Sequence, residues 1–311
     1  MKLLKVGLVA NAANGSTCET IISALANQDI LEVCTPIVSG IQDSIDSVLA
    51  NIEQEVQIPI CKISRVEDAL DGKINIIDCC NTESESIRYM VSSFLNNMVD
   101  LIIDLPSEIC NSKDETALIS LINETLSNED GKPLNWTISG NVRTLLTTGD
   151  TLVDDIREAH IALRKDATLI KPRFAVVAKD DTSHGNIASL REEKIMAFGP
   201  FEADTFINAK HYLPYDAVLF CDEDSACQRL LAEVDEGCSF EYISGLPLVV
   251  TRLNGKADLT QSMLKEVIYF SIHTHRNRVR YHGATKHPLE RQWIPRGRDD
   301  FKLDLTKEES E

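Results

Sequence analysis

The fold of the chain is best indicated by one stretch, Gly199–Arg252, which reads GPFEADTFINAKHYLPYDAVLFCDEDSACQRLLAEVDEGCSFEYISGLPLVVTR. It opens on a Gly-Pro pair, which is typical of a turn, and the apolar run Ala217–Phe220 predicts a buried strand. Three acids, Asp222, Glu223 and Asp224, follow directly after that strand. Ligands of open α/β sheets bind at the carboxyl ends of strands, so this cluster is either a binding site or a solvated turn.

Composition limits the classes of protein to which the chain can belong. With 311 residues, 43% of them apolar and 26% charged, it has the size and content expected of two globular α/β domains. No apolar run approaches the roughly 18 residues that a membrane span requires, and we expect a cytoplasmic protein. Residues Met1–Val9 predict a buried strand rather than a signal sequence, because polar Asn11 and Asn14 follow so soon. A net charge of −18 argues against a nucleic-acid partner, whose phosphates would be repelled.

Neither the cysteines nor the basic residues form a recognisable binding motif. The nine cysteines contain no Cys-x-x-Cys pair and are odd in number, which argues against a disulfide framework and against a zinc site. We interpret the basic residues near the C-terminal end as a solvated arm or a surface that pairs with acids of a second subunit, in preference to an RNA-binding tail. They are Arg276, Arg278, Arg280, Lys286, Arg291, Arg296 and Arg298.

Strands and helices alternate along the first part of the chain, which predicts a mainly parallel, doubly wound sheet with right-handed crossovers. We place the domain boundary near Cys110–Asp114. The first α/β domain then holds residues 1–110 and 256–311, with a C-terminal arm, and the second holds residues 111–255. The predicted elements include a strand at 31–38, an antiparallel hairpin at 136–146, and helices at 17–27, 43–52, 84–98, 114–126, 153–166 and 259–276.

Three predicted strand ends are followed by side chains that can bind a metal ion. These are Asp150, the loop with Asp180, Asp181 and His184, and the cluster Asp222, Glu223 and Asp224. Carboxylates and an imidazole hold a divalent ion if they converge; otherwise they are solvated loop residues. The first loop predicts a tight turn with a Ser16 or Thr17 helix cap, in preference to an anion cradle.

The opening stretch resembles the 4-hydroxythreonine-4-phosphate dehydrogenase family of vitamin B6 (pyridoxine) biosynthesis. That family has the pattern G-P-x-x-A-D-x-x-F, then D-x-V-L-A-M-Y-H-D-Q-G, then G-L-P-x-x-R-T; this chain has GPFEADTF, DAVLF with its acids, and SGLPLVVTR. Further agreement extends over nearly the whole chain, at residues 5–19, 31–40, 145–149, 171–176 and 270–309. The resemblance implies two α/β/α domains of the isocitrate and isopropylmalate dehydrogenase type with a cleft between them, and a homodimer.

The resemblance also implies NAD and a divalent metal as cofactors. The family holds its metal with three histidines, in the motifs T-G-H, N-P-H-A-G and Y-H-D-Q-G. The matching positions here are Asp150, Thr182 and Glu223, and His184 stands two residues beyond the second. The candidate metal ligands of this chain are therefore Asp150, His184 and Glu223, while its catalytic and NAD-binding residues stay unassigned.

The other site motifs of the family are altered as well. The segment A-P-x-N-K-H is Leu105–Cys110 here and lacks the lysine and histidine. The arginine after G-L-P falls on Val250, with Arg252 two residues further. The H-G-T-A loop that receives the dinucleotide is deleted, because residues 251–255 lead directly into the last predicted helix. These groups act as a unit, so we expect their combined loss to abolish the family's reaction.

Three hypotheses follow. The first is a relative that has lost NAD-dependent oxidation of 4-hydroxythreonine 4-phosphate and acts as an interaction or regulatory protein, for example with an active paralogue. The second is an active metal-dependent NAD(P) oxidoreductase with altered substrate or metal ligands. The third is a protein that binds another small ligand in the inherited cleft.

Overall fold

The computed structural model describes residues 3–10, 15–40, 59–77, 83–105, 122, 132–179, 183–235, 237–253 and 259–286. The predicted helix at 43–52 lies outside these residues, as do almost all of the predicted helix at 114–126 and the predicted C-terminal arm. Residues 11–14 of the first loop also lie outside the described residues, and so do the side chains of Ser16 and His184.

The described strands form one twelve-stranded sheet. Their bounds are β1 Leu4–Val9, β2 Cys34–Ser39, β3 Ile60–Ile63, β4 Ile74–Ile77, β5 Leu101–Asp104, β6 Leu134–Ser139, β7 Val142–Thr147, β8 Arg173–Ala178, β9 Met196–Phe201, β10 Ala217–Cys221, β11 Ser239–Ser244 and β12 Val249–Leu253. Their order in the sheet is β3-β4-β2-β1-β5-β12-β11-β6-β7-β10-β8-β9.

Helices connect these strands. They are α1 Gly15–Leu25, α2 Gln28–Val33, α3 Glu83–Leu95, α4 Leu152–Asp166, α5 Ser183–Glu192, α6 Ala203–Asn208, α7 Asp224–Val234 and α8 Gln261–Lys286, with a short 3-10 helix at Val66–Asp68. Among the described residues, no helix is both long enough and apolar enough to cross a membrane.

The two outer parts of the sheet are parallel and its centre is antiparallel. β3, β4, β2, β1, β5 and β12 pair in parallel, as do β7, β10, β8 and β9. The pairs β12–β11, β11–β6 and β6–β7 are antiparallel. Continuously buried strands such as β2, β4, β5, β10 and β12 are what a parallel sheet covered on both faces requires. The predicted α/β class with a mainly parallel sheet is confirmed.

The centre of the sheet joins the two predicted domains. β5, in the first, pairs in parallel with β12, in the second, and Ile102 lies opposite Val250. The largest apolar cluster likewise includes Leu8 of β1 and Phe174 of β8. The division into residues 1–110 with 256–311 and 111–255 stays a prediction.

Local expectations were correct for most strands and wrong at three places. The Gly199-Pro200 pair, predicted to form a turn, lies inside β9. Leu31–Val33 is helical, and the strand begins only at Cys34. The last helix, predicted to end near Arg276, continues to Lys286.

Gly199 shows why the Gly-Pro pair is in a strand. Its φ is +122°, and a Cβ there would lie 2.4 Å from the carbonyl oxygen of Val176 on β8. Only glycine allows this backbone conformation and this close approach. The next residues of the motif build α6, since the Glu202 side chain accepts hydrogen bonds from the backbone N–H groups of Asp204 and Thr205. In this chain the G-P-x-x-A-D segment therefore serves local structure.

Arg278 contradicts the interpretation of the C-terminal basic residues as solvated or surface groups. It is buried on α8, where its Nε donates to Asp166 Oδ1 at 2.6 Å and its Nη1 donates to the carbonyl of Leu246 at 2.8 Å. The Tyr242 hydroxyl donates to the same carboxylate. A charge can be buried when it is paired and hydrogen-bonded in this way, and the cluster ties α8 to α4 and β11.

Candidate functional site

Three parallel strands that are adjacent in the sheet end at the same level. β10 lies between β7 and β8, and its last residue, Cys221, is opposite both Thr147 and Ala178. The segments that follow these strands therefore begin at one edge of the sheet. This edge, formed by residues 147–151, Lys179 and residues 221–224, is the candidate site, and its position is the one at which open α/β sheets bind ligands.

The segment after β7 is fixed by Asp155 on α4. The buried Asp155 carboxylate accepts hydrogen bonds from Thr147 at 2.6 Å, Thr151 at 2.7 Å and Lys132 at 2.6 Å. Burial alone would raise the pKa of this carboxyl, but the hydrogen bonds from Lys132, Thr147 and Thr151 outweigh it and lower the pKa. Asp155 thus positions the turn that contains Asp150.

Asp222 connects the segment after β10 to the segment after β7. Its backbone N–H donates to the carbonyl of Thr147 at 3.0 Å, and its side-chain Oδ2 accepts from the N–H of Gly149 at 3.1 Å. Its φ of +54° lies in the left-handed region that few residues other than glycine adopt. The first acid of the cluster therefore has a local bonding role between two loops.

Glu223 connects the segment after β10 to the segment after β8. Its side chain is only 4% exposed, and its Oε1 lies 2.9 Å from Nζ of Lys179, whose side chain is 77% exposed. A buried carboxylate requires a cation or several hydrogen-bond donors, and Lys179 supplies a cation at this position. Glu223 also precedes α7, and its carbonyl accepts from the N–H of Cys227 at 3.0 Å.

The predicted metal ligands are only partly described. Asp150 is exposed and Glu223 is buried, and both follow adjacent strands at the candidate site. His184 is in the first turn of α5, but its side chain lies outside the described residues, as do Asp180, Asp181 and Thr182. Within the described part of the chain, no group of three or more His, Cys, Asp or Glu side chains could hold a metal ion. The trio Asp150, His184 and Glu223 stays a prediction.

Arg252 is a second cation whose position bears on the site. It lies on β12 directly opposite Asp104 of β5, and its Nε is 3.2 Å from Asp104 Oδ2. The two side chains are 6% and 0% exposed. This guanidinium, the one nearest to the position of the family's arginine, is thus engaged with a carboxylate of the chain itself.

Sequence reasoning did not assign a role to Lys179 or Asp155. Lys179 follows β8 directly, next to the strand that precedes the acidic cluster, and a cation at that place could have been expected to pair with one of the acids. Asp155 gave no such signal, because its carboxylate combines partners from the segment just before it, Thr147 and Thr151, with the more distant Lys132.

The amino-acid sequence of this chain is similar to that of a known enzyme. The chain is 22% identical, over 97% of its own length and 97% of the other, to 4-hydroxythreonine-4-phosphate dehydrogenase from Bacteroides thetaiotaomicron. The chain is thus similar to a 4-hydroxythreonine-4-phosphate dehydrogenase over nearly its whole length. This confirms the resemblance inferred from the motifs, although no family model matches the chain.

Solved structures agree with this fold. The 4-hydroxythreonine-4-phosphate dehydrogenase from Klebsiella pneumoniae superposes with a TM-score of 0.63 at 17% identity, over 88% of this chain and 98% of that one. A branched-chain phosphotransacylase from Enterococcus faecalis superposes with a TM-score of 0.55 at 13% identity, over 88% of this chain and 99% of that one. Since two such different activities occur on similar scaffolds, function must be argued from the residues of the site.

Proposed function

We propose that this member of the family has lost NAD-dependent oxidation of 4-hydroxythreonine 4-phosphate and uses the dehydrogenase scaffold as an interaction or regulatory protein. The observation that supports this most is the pair Lys179–Glu223, 2.9 Å apart, at the position where the family's pattern has a metal-binding histidine. The proposal concerns catalysis only, since the fold itself is that of the family.

The residues present do not fit a divalent metal as the family binds it. An ion next to Glu223 would have to displace the Lys179 ammonium or tolerate a like charge beside it, and like charges at such distances repel strongly. Asp222, a neighbouring carboxylate, is already engaged with Gly149. The described site therefore satisfies its buried carboxylate with a side chain of the protein.

Arg252, the cation nearest in sequence to the position of the family's arginine, supports the same proposal. Arg252 is buried against Asp104, so that its charge is balanced inside the protein. Recruiting it to a substrate phosphate would break this buried ion pair with Asp104, which is costly.

The test is an assay of NADH formation from 4-hydroxythreonine 4-phosphate and NAD, with magnesium, manganese or zinc ions supplied in turn. The dehydrogenase from Bacteroides thetaiotaomicron is the positive control. We expect no turnover above the rate without protein. Steady, metal-dependent NADH formation by this chain would overturn the proposal.

The second candidate is a metal-dependent NAD(P) oxidoreductase with altered substrate or ligands. It is favoured by the presence of Asp150, Asp222 and Glu223 at one sheet edge, after adjacent strands. The exposed Lys179 would have to swing away to admit the ion. Oxidation of a related 2-hydroxy acid or hydroxy amino acid by this chain, dependent on added metal, would favour this candidate over the first.

The family relationship also motivates a proposal about assembly. We propose a homodimer, with residues 1–110 and 256–311 and residues 111–255 as its two domains. Sedimentation velocity would test the first part, because a monomer at micromolar concentration contradicts it. An active paralogue as partner would be detected as a complex in the same experiment with the two chains mixed.

A further inference from the structure

A groove of about 620 Å³ lies between α8 and the strands β6, β7 and β11. Its apolar wall includes Ile138, Phe240, Tyr269 and Phe270, and the rings of Phe240 and Phe270 meet edge to face with centroids 5.0 Å apart. A smaller cavity of about 110 Å³ adjoins it and shares Arg143, Phe270 and His273 as lining residues. This volume and this apolar lining are typical of sites for small molecules.

Two arginines line the groove, and neither is within ion-pair distance of a carboxylate among the described residues, while the Asp216 carboxylate acts on Arg143 from further away. Nε of Arg276, on α8, is buried and lacks a hydrogen-bond partner. Burial lowers the pKa of Arg143, on β7, against the opposing effect of the Asp216 carboxylate. Buried N–H groups that lack an acceptor are unfavourable, and a guanidinium is the side chain best suited to bind a planar carboxylate.

Among the described lining residues the acid is Glu266, which is close to the thiol of Cys238. Burial, together with the carboxylate of Glu266, raises the pKa of this thiol to about 12. The groove therefore presents two guanidinium groups and one carboxylate, in a chain with a net charge of −18. A locally positive, aromatic-lined groove on an acidic protein favours a small anion with an apolar body.

We propose that this groove is a binding site for a small aromatic carboxylate, with the carboxylate on Arg276 and Arg143 and the ring against the wall that contains Phe240 and Phe270. Aromatic rings gain from edge-to-face and offset contacts of the kind these two phenylalanines already make. The carboxylate would accept hydrogen bonds from the guanidinium of Arg276, whose Nε has no acceptor among the described residues.

The groove is separate from the candidate site described above. Arg143 is near the amino end of β7 and the candidate site begins at its carboxyl end, Thr147. The steps from Arg143 to Thr147 along β7 correspond to roughly 13 Å at about 3.3 Å per residue. The proposal therefore stands or fails independently of whether the chain oxidises a substrate.

The test is isothermal titration of the full chain with 2-naphthoate and, as a neutral analogue of the same shape, 2-naphthalenemethanol. We expect naphthoate to bind at least about tenfold more tightly than the alcohol, as one charge-assisted hydrogen bond would provide. Arg276→Met should remove this preference for the anion and leave the affinity for the alcohol unchanged. Arg280→Met, one turn further along α8 at an exposed position, is the matched control and should bind like the unaltered chain.

Two further variants, Arg276→Lys and Arg143→Met, keep the test valid if Arg276→Met does not fold. Circular dichroism shows whether each variant is folded. Arg276→Lys should retain part of the preference and Arg143→Met should reduce it. Equal affinity for the acid and the alcohol, or an unchanged preference in Arg276→Met, would overturn the proposal. Failure of naphthoate to bind, with the groove protected from hydrogen exchange in a dimer, would overturn it as well and would assign the groove to an interface between two copies.

Discussion

Lys179 and Glu223 join the ends of two neighbouring strands, β8 and β10, by an ion pair of 2.9 Å between Nζ and Oε1. The carboxylate of this pair is buried and the lysine is exposed. In the family's pattern the residue at the position of Glu223 is a histidine that binds the catalytic metal. The chain thus retains the strands that present this position while the side chain there is bonded to a cation of the protein itself.

The first prediction concerns the stability of the buried cluster at Arg278. Arg278→Met should lower the free energy of unfolding by about 3–5 kcal/mol, because it leaves the Asp166 carboxylate buried without its cation. Arg280→Met, at an exposed position on the same helix, should change it by less than about 0.5 kcal/mol. Urea denaturation followed by circular dichroism measures both, and equal effects would mean that the cluster does not stabilise the fold.

The second prediction concerns Asp155 as the residue that positions the turn with Asp150. Asp155→Asn should lower the free energy of unfolding by about 1.5–3 kcal/mol, since bonds to an ionised carboxylate are replaced by bonds to a neutral amide. Because the pKa of Asp155 is lowered, its stabilisation exists above the unfolded value of 3.8 and is lost as the pH falls through the folded value. The variant should therefore also lose part of the acid sensitivity.

Asp154→Asn is the matched control, since Asp154 precedes Asp155 on α4 but is exposed and pairs only with Arg157 among the described residues. Exposed pairs of this kind contribute little, so its effect should stay below about 1 kcal/mol. If Asp155→Asn were as mild as this control, the network around Thr147 would not fix the turn.

The third prediction concerns the dependence of stability on pH. Burial lowers the pKa of His160 and of His275 below the ordinary value of 6.5. Both side chains are thus held neutral in the fold, and the stability they contribute is present above pH 6.5 and is lost as the pH falls through their folded pKa values. Denaturant midpoints should decrease between pH 7.5 and 5.5, and the decrease should be smaller in His160→Gln. A titration of the His160 ring by NMR with a midpoint at or above 6.5 would refute this explanation.

Much of the fold could be predicted from the sequence because its strands are short apolar runs with clear ends. The hairpin β6–β7 and the run that became β10 are local patterns, and each was recognised from its own residues. The Gly199-Pro200 pair was misread because its conformation depends on the approach of Val176, a tertiary contact. Arg278 was misread for the same reason, since its partner Asp166 is far away in the sequence.

The candidate site was less predictable than the fold. The sequence indicated that the acids Asp150 and Glu223 follow buried strands, but it could not indicate which of them is buried or which has a cation as partner. Those properties depend on the strand order β7-β10-β8, which brings Lys179 next to Glu223. Strand order is set by crossover connections and by packing of the whole sheet, and neither is visible in a local pattern.

The central claim is that Lys179 takes the place of a divalent cation at Glu223, and manganese binding measured by electron paramagnetic resonance tests it most directly. Free manganese is titrated with the unaltered chain, with Lys179→Met, and with Lys171→Met, an exposed lysine that serves as control. We predict that the unaltered chain and the control leave the signal of free manganese unchanged when protein and metal are equimolar at millimolar concentration. Lys179→Met should take up manganese through the Glu223 carboxylate that it exposes. Stoichiometric uptake by the unaltered chain, or no uptake by Lys179→Met, would contradict the claim.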